Sequence, residues 1–387
     1  MTDSQMPANA TQRPDLSRAT LLRLSCAYAL ATNGTILMPL IVGALMRRFG
    51  VGDDAATGFA ALEIAGIAIS CAVFPRWIAR APRRLAWIAT AGALLAQAAG
   101  AWMPTLAAVG CARLVTGLFE GVLFVVVAAS LSNRAASERA WGVIILASGF
   151  IDCALLVAAY AMPEAFVTRW VFVVVAACFA LVAWPSAAAG ADAVQPATAV
   201  APPGRTHRLG LLIPIWTVMI LVYSVLSAQW ALSDVVGRQL GLAPERIGPL
   251  LALVSLLGTM GALAASHRRS HELRLPILWA AQLVMAGAVL WFFLVNGWAG
   301  FFVAQLIVSF AYYAVTPFLT SRISSLDADG SLLSRSIVVT FVAAFIGTAL
   351  AGTALTQLGG LGCGLALGAC ALLAMAFTWK AFGRGAA

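Results

Sequence analysis

Long apolar runs, separated by short breaks that carry arginine, dominate the chain. A helix that crosses hydrocarbon needs about 20 mostly apolar residues. That ruler finds twelve runs, at 20–46, 57–78, 84–102, 105–131, 141–161, 166–186, 209–236, 247–266, 275–295, 298–321, 336–356 and 359–380. Each is apolar nearly all round, as helices buried in a membrane bundle are, so a 3.6-residue period adds little. The pattern predicts an all-α membrane protein with twelve transmembrane helices. One break stands apart. Residues 187–208 (AAAGADAVQPATAVAPPGRTHR) are rich in Ala, Pro and Gly and read as a flexible linker. The expected organisation is a cytoplasmic N-terminal tail over 1–19, a six-helix half over 20–186, the linker over 187–208, and a second six-helix half over 209–382.

Composition agrees with the pattern. The chain of 387 residues is 62% hydrophobic and only 10% charged, whereas a soluble domain is about half apolar and about a quarter charged. Residues 1–19 are polar and lack an apolar h-region, so no cleavable signal peptide is expected. The net charge of +9 does not point to nucleic acid, because the arginines lie in short loops between apolar runs. With the N-terminus in the cytoplasm, 18 Arg and Lys fall on the inside and 5 on the outside, with Arg113 within a span. That asymmetry predicts an inner-membrane protein with both termini cytoplasmic. The seven cysteines all lie in apolar runs and His207, His267 and His271 in polar loops, so neither a metal site nor a cofactor is expected. No Walker A pattern and no nucleophile–base pair is evident, which argues against ATP drive and against an enzyme.

The two halves resemble each other. RRFGVGDDAATGFAALEIAGIAIS after span 1 aligns with GRQLGLAPERIGPLLALVSLLGTMGALAAS after span 7, pairing Gly50 with Gly241 and Gly58 with Gly248. NRAASERAWGVIILASGF before span 5 aligns with DGSLLSRSIVVTFVAAF before span 11, Arg139 standing opposite Arg335. Each half has an even number of spans, so the repeat is parallel.

On these features the chain resembles the major facilitator superfamily over about residues 20–382. Arg113, Gly117 and Gly121 in span 4 are similar to that family's Arg-x3-Gly-x3-Gly pattern. PRWIARAPRRL resembles its loop between the second and third helices, with Arg80, Arg83 and Arg84 kept and Pro75, Ala79 and Pro82 in place of Gly, Asp and Gly. The Gly-Pro pattern that many proton-driven exporters carry in span 5 is replaced by VIILASGFIDCALLV, which contains Asp152. The resemblance implies rocker-switch transport, with spans 1, 4, 7 and 10 lining a central cavity and Arg80, Arg83 and Arg84 forming a gating loop.

Charge inside the spans supplies the candidate chemistry. A charged side chain at the bilayer centre costs about 2.5–3.5 kcal/mol on insertion scales. The candidates are Glu63, Arg113, Glu120 and Asp152, all in the N-terminal half. Glu120 lies roughly 22 Å into span 4 at 1.5 Å per residue, and Asp152 is at similar depth in span 5. Arg113 and Glu63 share the outer half, so Arg113 is expected to reach Glu63 or a water-filled cavity. Gly117 and Gly121 also suit plain helix packing. Glu120 is the first choice for a proton-binding carboxyl and Asp152 its rival. Asp234, near the outer end of span 7, reads as interfacial. For solute binding the expected residues are Asn33, Tyr223, Ser227, Trp230, Gln305, Tyr312 and Tyr313, an aromatic wall with a few neutral polar groups that suits a partly apolar molecule.

The expected function is secondary transport of a small organic solute by a monomer, coupled to protons, with export by antiport favoured over uptake by symport. A transporter-like sensor or scaffold that does not transport is the alternative of another class. Partners are the solute, protons and the lipid bilayer, not nucleic acid.

Overall fold

The computed structural model describes residues 16–78, 80–131, 137–191, 209–263, 273–326 and 331–383. The chain is a multi-pass, all-α membrane protein of twelve spans in two six-helix halves. Among the described residues seven helices are by themselves long and apolar enough to cross a bilayer, and the last of these is two spans joined at Gly359. Four more spans are bent, shorter or less apolar: Arg18–Ile36 with Met38–Phe49, Pro82–Ala99, Glu164–Ala191, and Pro244–Gly258 with the 3-10 turn Thr259–Ala262. The observed limits lie within a few residues of the expected ones. The largest differences are about five residues at one end, as in span 6, whose helix continues to Ala191. The first five residues of the expected linker 187–208 are therefore helical, while 192–208 lie outside the described residues.

Local chemistry explains several ends. The Ser17 hydroxyl accepts from the Thr20 amide at 3.2 Å and starts span 1. Span 1 breaks at Leu37 and bends by 48°. Pro39, in the first turn beyond the break, has no N–H to continue the ladder. Span 7 breaks at the matching place, Leu232, with nearly the same backbone angles, and resumes as Ser233–Gln239. The paired glycines of the repeat both take left-handed conformations, φ 62° at Gly50 and 74° at Gly241, which close those two segments at little steric cost. Gly359, at φ 67°, turns the chain between spans 11 and 12.

The described ends of the chain, Leu16 and Gly383, lie on one face, here called proximal; the opposite face is distal. The N-terminal half shares one buried apolar cluster with parts of the C-terminal half, including Leu37, Ile41, Trp230, Val235, Leu251, Phe341 and Ala351. The proximal part of the C-terminal half, around Val222, Leu278 and Val315, forms a cluster of its own. Span 2 packs on span 11 and span 5 on span 8. At the first contact Gly352 donates its amide to Thr57 Oγ1 at 3.2 Å, and a Cβ there would overlap the Asp53 carbonyl. At the second, Cys153 Sγ donates to the Ala252 carbonyl at 3.1 Å, and Tyr160 covers Gly248. Leucines such as Leu95 and Leu181 stay exposed on the outside of the bundle, where lipid covers them.

Candidate functional site

Three polar layers cross the bundle, and each handles its charge differently. The first is confined to the N-terminal half. Arg113 pairs with Glu63, donates to Gln97 Oε1, and lies 5.8 Å from the centroid of the Phe172 ring. Spans 2, 3, 4 and 6 thus enclose one guanidinium, and both Arg113 and Glu63 are buried. The expected Arg113–Glu63 partnership is what the structure contains. It depends on small residues. A Cβ on Gly34 would overlap the Glu63 carboxylate, and one on Gly117 would overlap the Glu63 backbone carbonyl. One on Gly121 would crowd Ile67 and Ser70. The Arg-x3-Gly-x3-Gly face of span 4 is therefore a packing surface against span 2.

Glu120 belongs to the same region. Its Oε1 accepts from the Asn33 amide of span 1, and its side chain has no exposed surface. Asn33 also donates to the Leu30 carbonyl at 3.2 Å. Two residues read from the sequence as a cavity acid and a solute ligand are thus bonded to each other inside the N-terminal half.

The second layer lies between the halves. Tyr223 of span 7 meets Tyr312 of span 10 edge-on at 4.8 Å, and Tyr312 meets Tyr313 at 4.9 Å. Asp152 of span 5 is within electrostatic reach of both Tyr313 and Tyr28 of span 1. Tyr28 packs on Phe124, and Phe124 meets Phe341 of span 11 edge-on at 5.0 Å. Tyr28, Tyr312 and Tyr313 are half-buried. Asp152 is 4% exposed and has no hydrogen-bond or ion-pair partner among the described residues. A buried carboxylate without a partner is costly, and such a site holds a proton or a cation.

The third layer closes the distal face. Asp234, 1% exposed, accepts from Arg47 of span 1 at 3.3 Å and from Arg238 at 2.9 Å. Tyr160 of span 5 lies beside it. Gly43 makes room, since a Cβ there would overlap Asp234 Oδ2. The Trp230 indole donates to the Ile36 carbonyl at 3.0 Å, joining the two broken helices at their bends. Asp234 is thus a cross-half latch and not the interfacial residue its position suggested. Its partner Arg47 is 187 positions away, a pairing no local pattern reveals.

The other expected residues are distributed unevenly. Gln305 accepts from Ser233 at 2.9 Å in a buried pocket near the latch. Ser227 is half-buried on the span that carries Tyr223. Arg80, Arg83 and Arg84 are exposed on the proximal face, and Ala79 within their loop lies outside the described residues. Among the described residues no cluster of His, Cys, Asp and Glu could hold a metal.

No protein-family model and no curated protein sequence matches the chain. Solved structures do. The human organic anion transporter MFSD10 (TETRAN) superposes with a TM-score of 0.67 at 16% identity, over 94% of this chain and 100% of its own. A D-xylose–proton symporter gives 0.70 at 14% identity, over 94% and 97%. A bacterial homologue of the human lysosomal transporter Spinster, inward-facing and unoccupied, gives 0.71 at 14%, over 95% and 98%. The chain has the fold of these major facilitator transporters.

Proposed function

We propose that the protein is a secondary active transporter that moves a small, partly apolar organic solute across the membrane by alternating access, in exchange for protons. The observation that carries this reading is Asp152: a buried carboxyl, without a polar partner among the described residues, on the span of the N-terminal half that packs against span 8 of the other half. Alternating access changes the hydration of such a joint. A carboxyl there binds a proton when enclosed and releases it when wetted. Glu120 and Arg113, first in line from the sequence, have partners in their own half, which supports a framework role for them and the proton-carrying role for Asp152.

The two halves, 20–186 and 209–382, then rock about the central space within a single chain, without a cofactor or a chemical step. The arginine asymmetry supports an inner-membrane location with the proximal face cytoplasmic. The engaged distal latch supports reading this arrangement as closed on the distal side, the side that the arginine asymmetry would make the outside. Arg80, Arg83 and Arg84 are proposed to steady the opposite closure.

Proteoliposomes with an imposed pH gradient test the reading. Asp152→Asn should lose gradient-driven transport while insertion and folding remain intact, and Glu120→Gln should retain it. Full coupling in the Asp152→Asn protein with loss in Glu120→Gln would return the proton site to span 4. No solute-dependent proton movement in the unmodified protein would favour the non-transporting alternative.

A further inference from the structure

Spans 8, 9 and 10 leave a groove of about 700 Å³ between them. Its lining is apolar throughout: Leu257 and Met260 come from span 8, Ile277 and Val284 from span 9, Leu306 and Phe310 from span 10. Spans 8 and 9 each pack on span 10, which makes span 10 the floor. Gly261 seats span 8 there, since a Cβ on it would overlap the Phe310 carbonyl. Ala280, Ala281, Ala311 and Ala314 keep one wall and the floor low. Span 9 packs on spans 10 and 12 of its own half, so a groove along it opens to the bilayer. Met260, Val284 and Phe310 are exposed along it.

Depth assigns the groove to one leaflet. Span 9 starts at the proximal face with Arg274. At 1.5 Å per residue, Ile277 lies roughly 4.5 Å and Val284 roughly 15 Å from Arg274 along the helix. A leaflet accounts for about 15 Å of a hydrocarbon core roughly 30 Å thick. Arg274, Ile277 and Ala281 follow at i, i+3 and i+7, one stripe of the helix. Arg274 rests on the Phe382 ring at 5.8 Å and has no carboxylate partner among the described residues. The groove thus runs from the middle of the membrane toward a guanidinium at the proximal edge.

The N-terminal half fills the matching place with its own side chain. The offset that pairs Gly50 with Gly241 also pairs Phe119 with Phe310. The Phe119 ring of span 4 lies against Gly92 of span 3, where a Cβ would overlap it. The same offset puts Leu283 in place of Gly92, and Phe310 is left exposed beside the groove.

We propose that this groove binds an anionic phospholipid of the proximal leaflet, with an acyl chain over the alanines and the phosphate at Arg274. Lipid tails are as apolar as the lining, so the chain gains close contact and not hydrophobic energy by entering. The headgroup charge supplies the selectivity. The site is separate from the solute path and does not depend on proton exchange.

The test uses the full chain in phosphatidylcholine liposomes doped with phosphatidylglycerol that carries a diazirine on one acyl chain, or with phosphatidylcholine carrying the same chain. After illumination, labelled peptides are mapped by mass spectrometry. The phosphatidylglycerol probe should label segments 277–284 and 306–314 at least about fivefold more than the phosphatidylcholine probe does, and more than it labels the lipid-facing surface around Leu95 and Leu181, the advantage expected of one cation near the headgroup. Arg274→Gln should remove the preference between the two probes. Ala280→Phe puts a ring into the groove from an exposed position, and should bring labelling there down to the level of the Leu95 surface with either probe. Neither position is buried, and size-exclusion profiles establish that both variants are folded. Excess inorganic phosphate should not compete, because it has no tail to hold. Labelling that is uniform round the bundle, a preference that survives Arg274→Gln, or groove labelling that survives Ala280→Phe would overturn the site. Displacement by inorganic phosphate would reduce it to a bare anion site and overturn it too. So would a second copy of the chain on this face, seen as a crosslinked dimer in place of the lipid label.

Discussion

Asp152 and Glu63 are both buried carboxyls, but their substitution should move stability in opposite directions. Glu63 holds Arg113, and truncating one member of a buried pair leaves the other charge uncompensated, at about 3–5 kcal/mol. Glu63→Ala should therefore lower the thermal midpoint of the purified protein sharply. Asp152 has no partner to strand, so Asp152→Asn should leave the midpoint unchanged or raise it while coupling is lost. Gly117→Ala places a methyl group on the Glu63 carbonyl and should cost about 1–3 kcal/mol, the usual range for overpacking. Differential scanning fluorimetry on the three variants checks all of this. Part of the pattern was legible in the sequence: depth along spans 2 and 4 already matched Arg113 to Glu63. The Asn33–Glu120 bond was not, because a depth ruler does not say which way a side chain turns within its helix. The sequence therefore ranked Glu120 above Asp152 on depth and span alone.

Helix breaks were legible to different degrees. Span 1 bends at Leu37, where Pro39 in the next turn gives the bend a local cause. Span 7 breaks at Leu232 with no proline or glycine beside the break, so no local signal marks it in the sequence. The segments beyond the two breaks meet, and the Asp234 latch forms between them. Asp234→Asn removes the charge that Arg47 and Arg238 share, leaving two guanidiniums facing a neutral amide. The distal face should open more often, by about tenfold or more for a buried, hydrogen-bonded pair. Single-molecule distances between labels placed at the distal ends of spans 1 and 7 would report the added population. Gly43→Ala should act in the same direction, since its methyl group occupies the position of Asp234 Oδ2.

At the scale of the whole molecule, fold and repeat were visible because a bilayer allows few solutions: apolar runs of fixed length must be helices, and their even number in each half makes the repeat parallel. Orientation is a separate matter, and the arginine distribution predicts it. Alkaline phosphatase fused at residue 200 should be inactive, and fused at residue 104 or 296 active; the reverse pattern would invert the assignment. The contact between spans 5 and 8 has a practical consequence. Cys153 sits beside Asp152, and its thiol is bonded across the seam to a carbonyl of the other half. In a variant keeping this cysteine alone, a membrane-impermeant maleimide added from the distal side should react faster when the seam parts than when the half-buried thiol is held on the Ala252 carbonyl. The protein thus carries its own chemical clock for opening, one residue away from the carboxyl whose loading it would time.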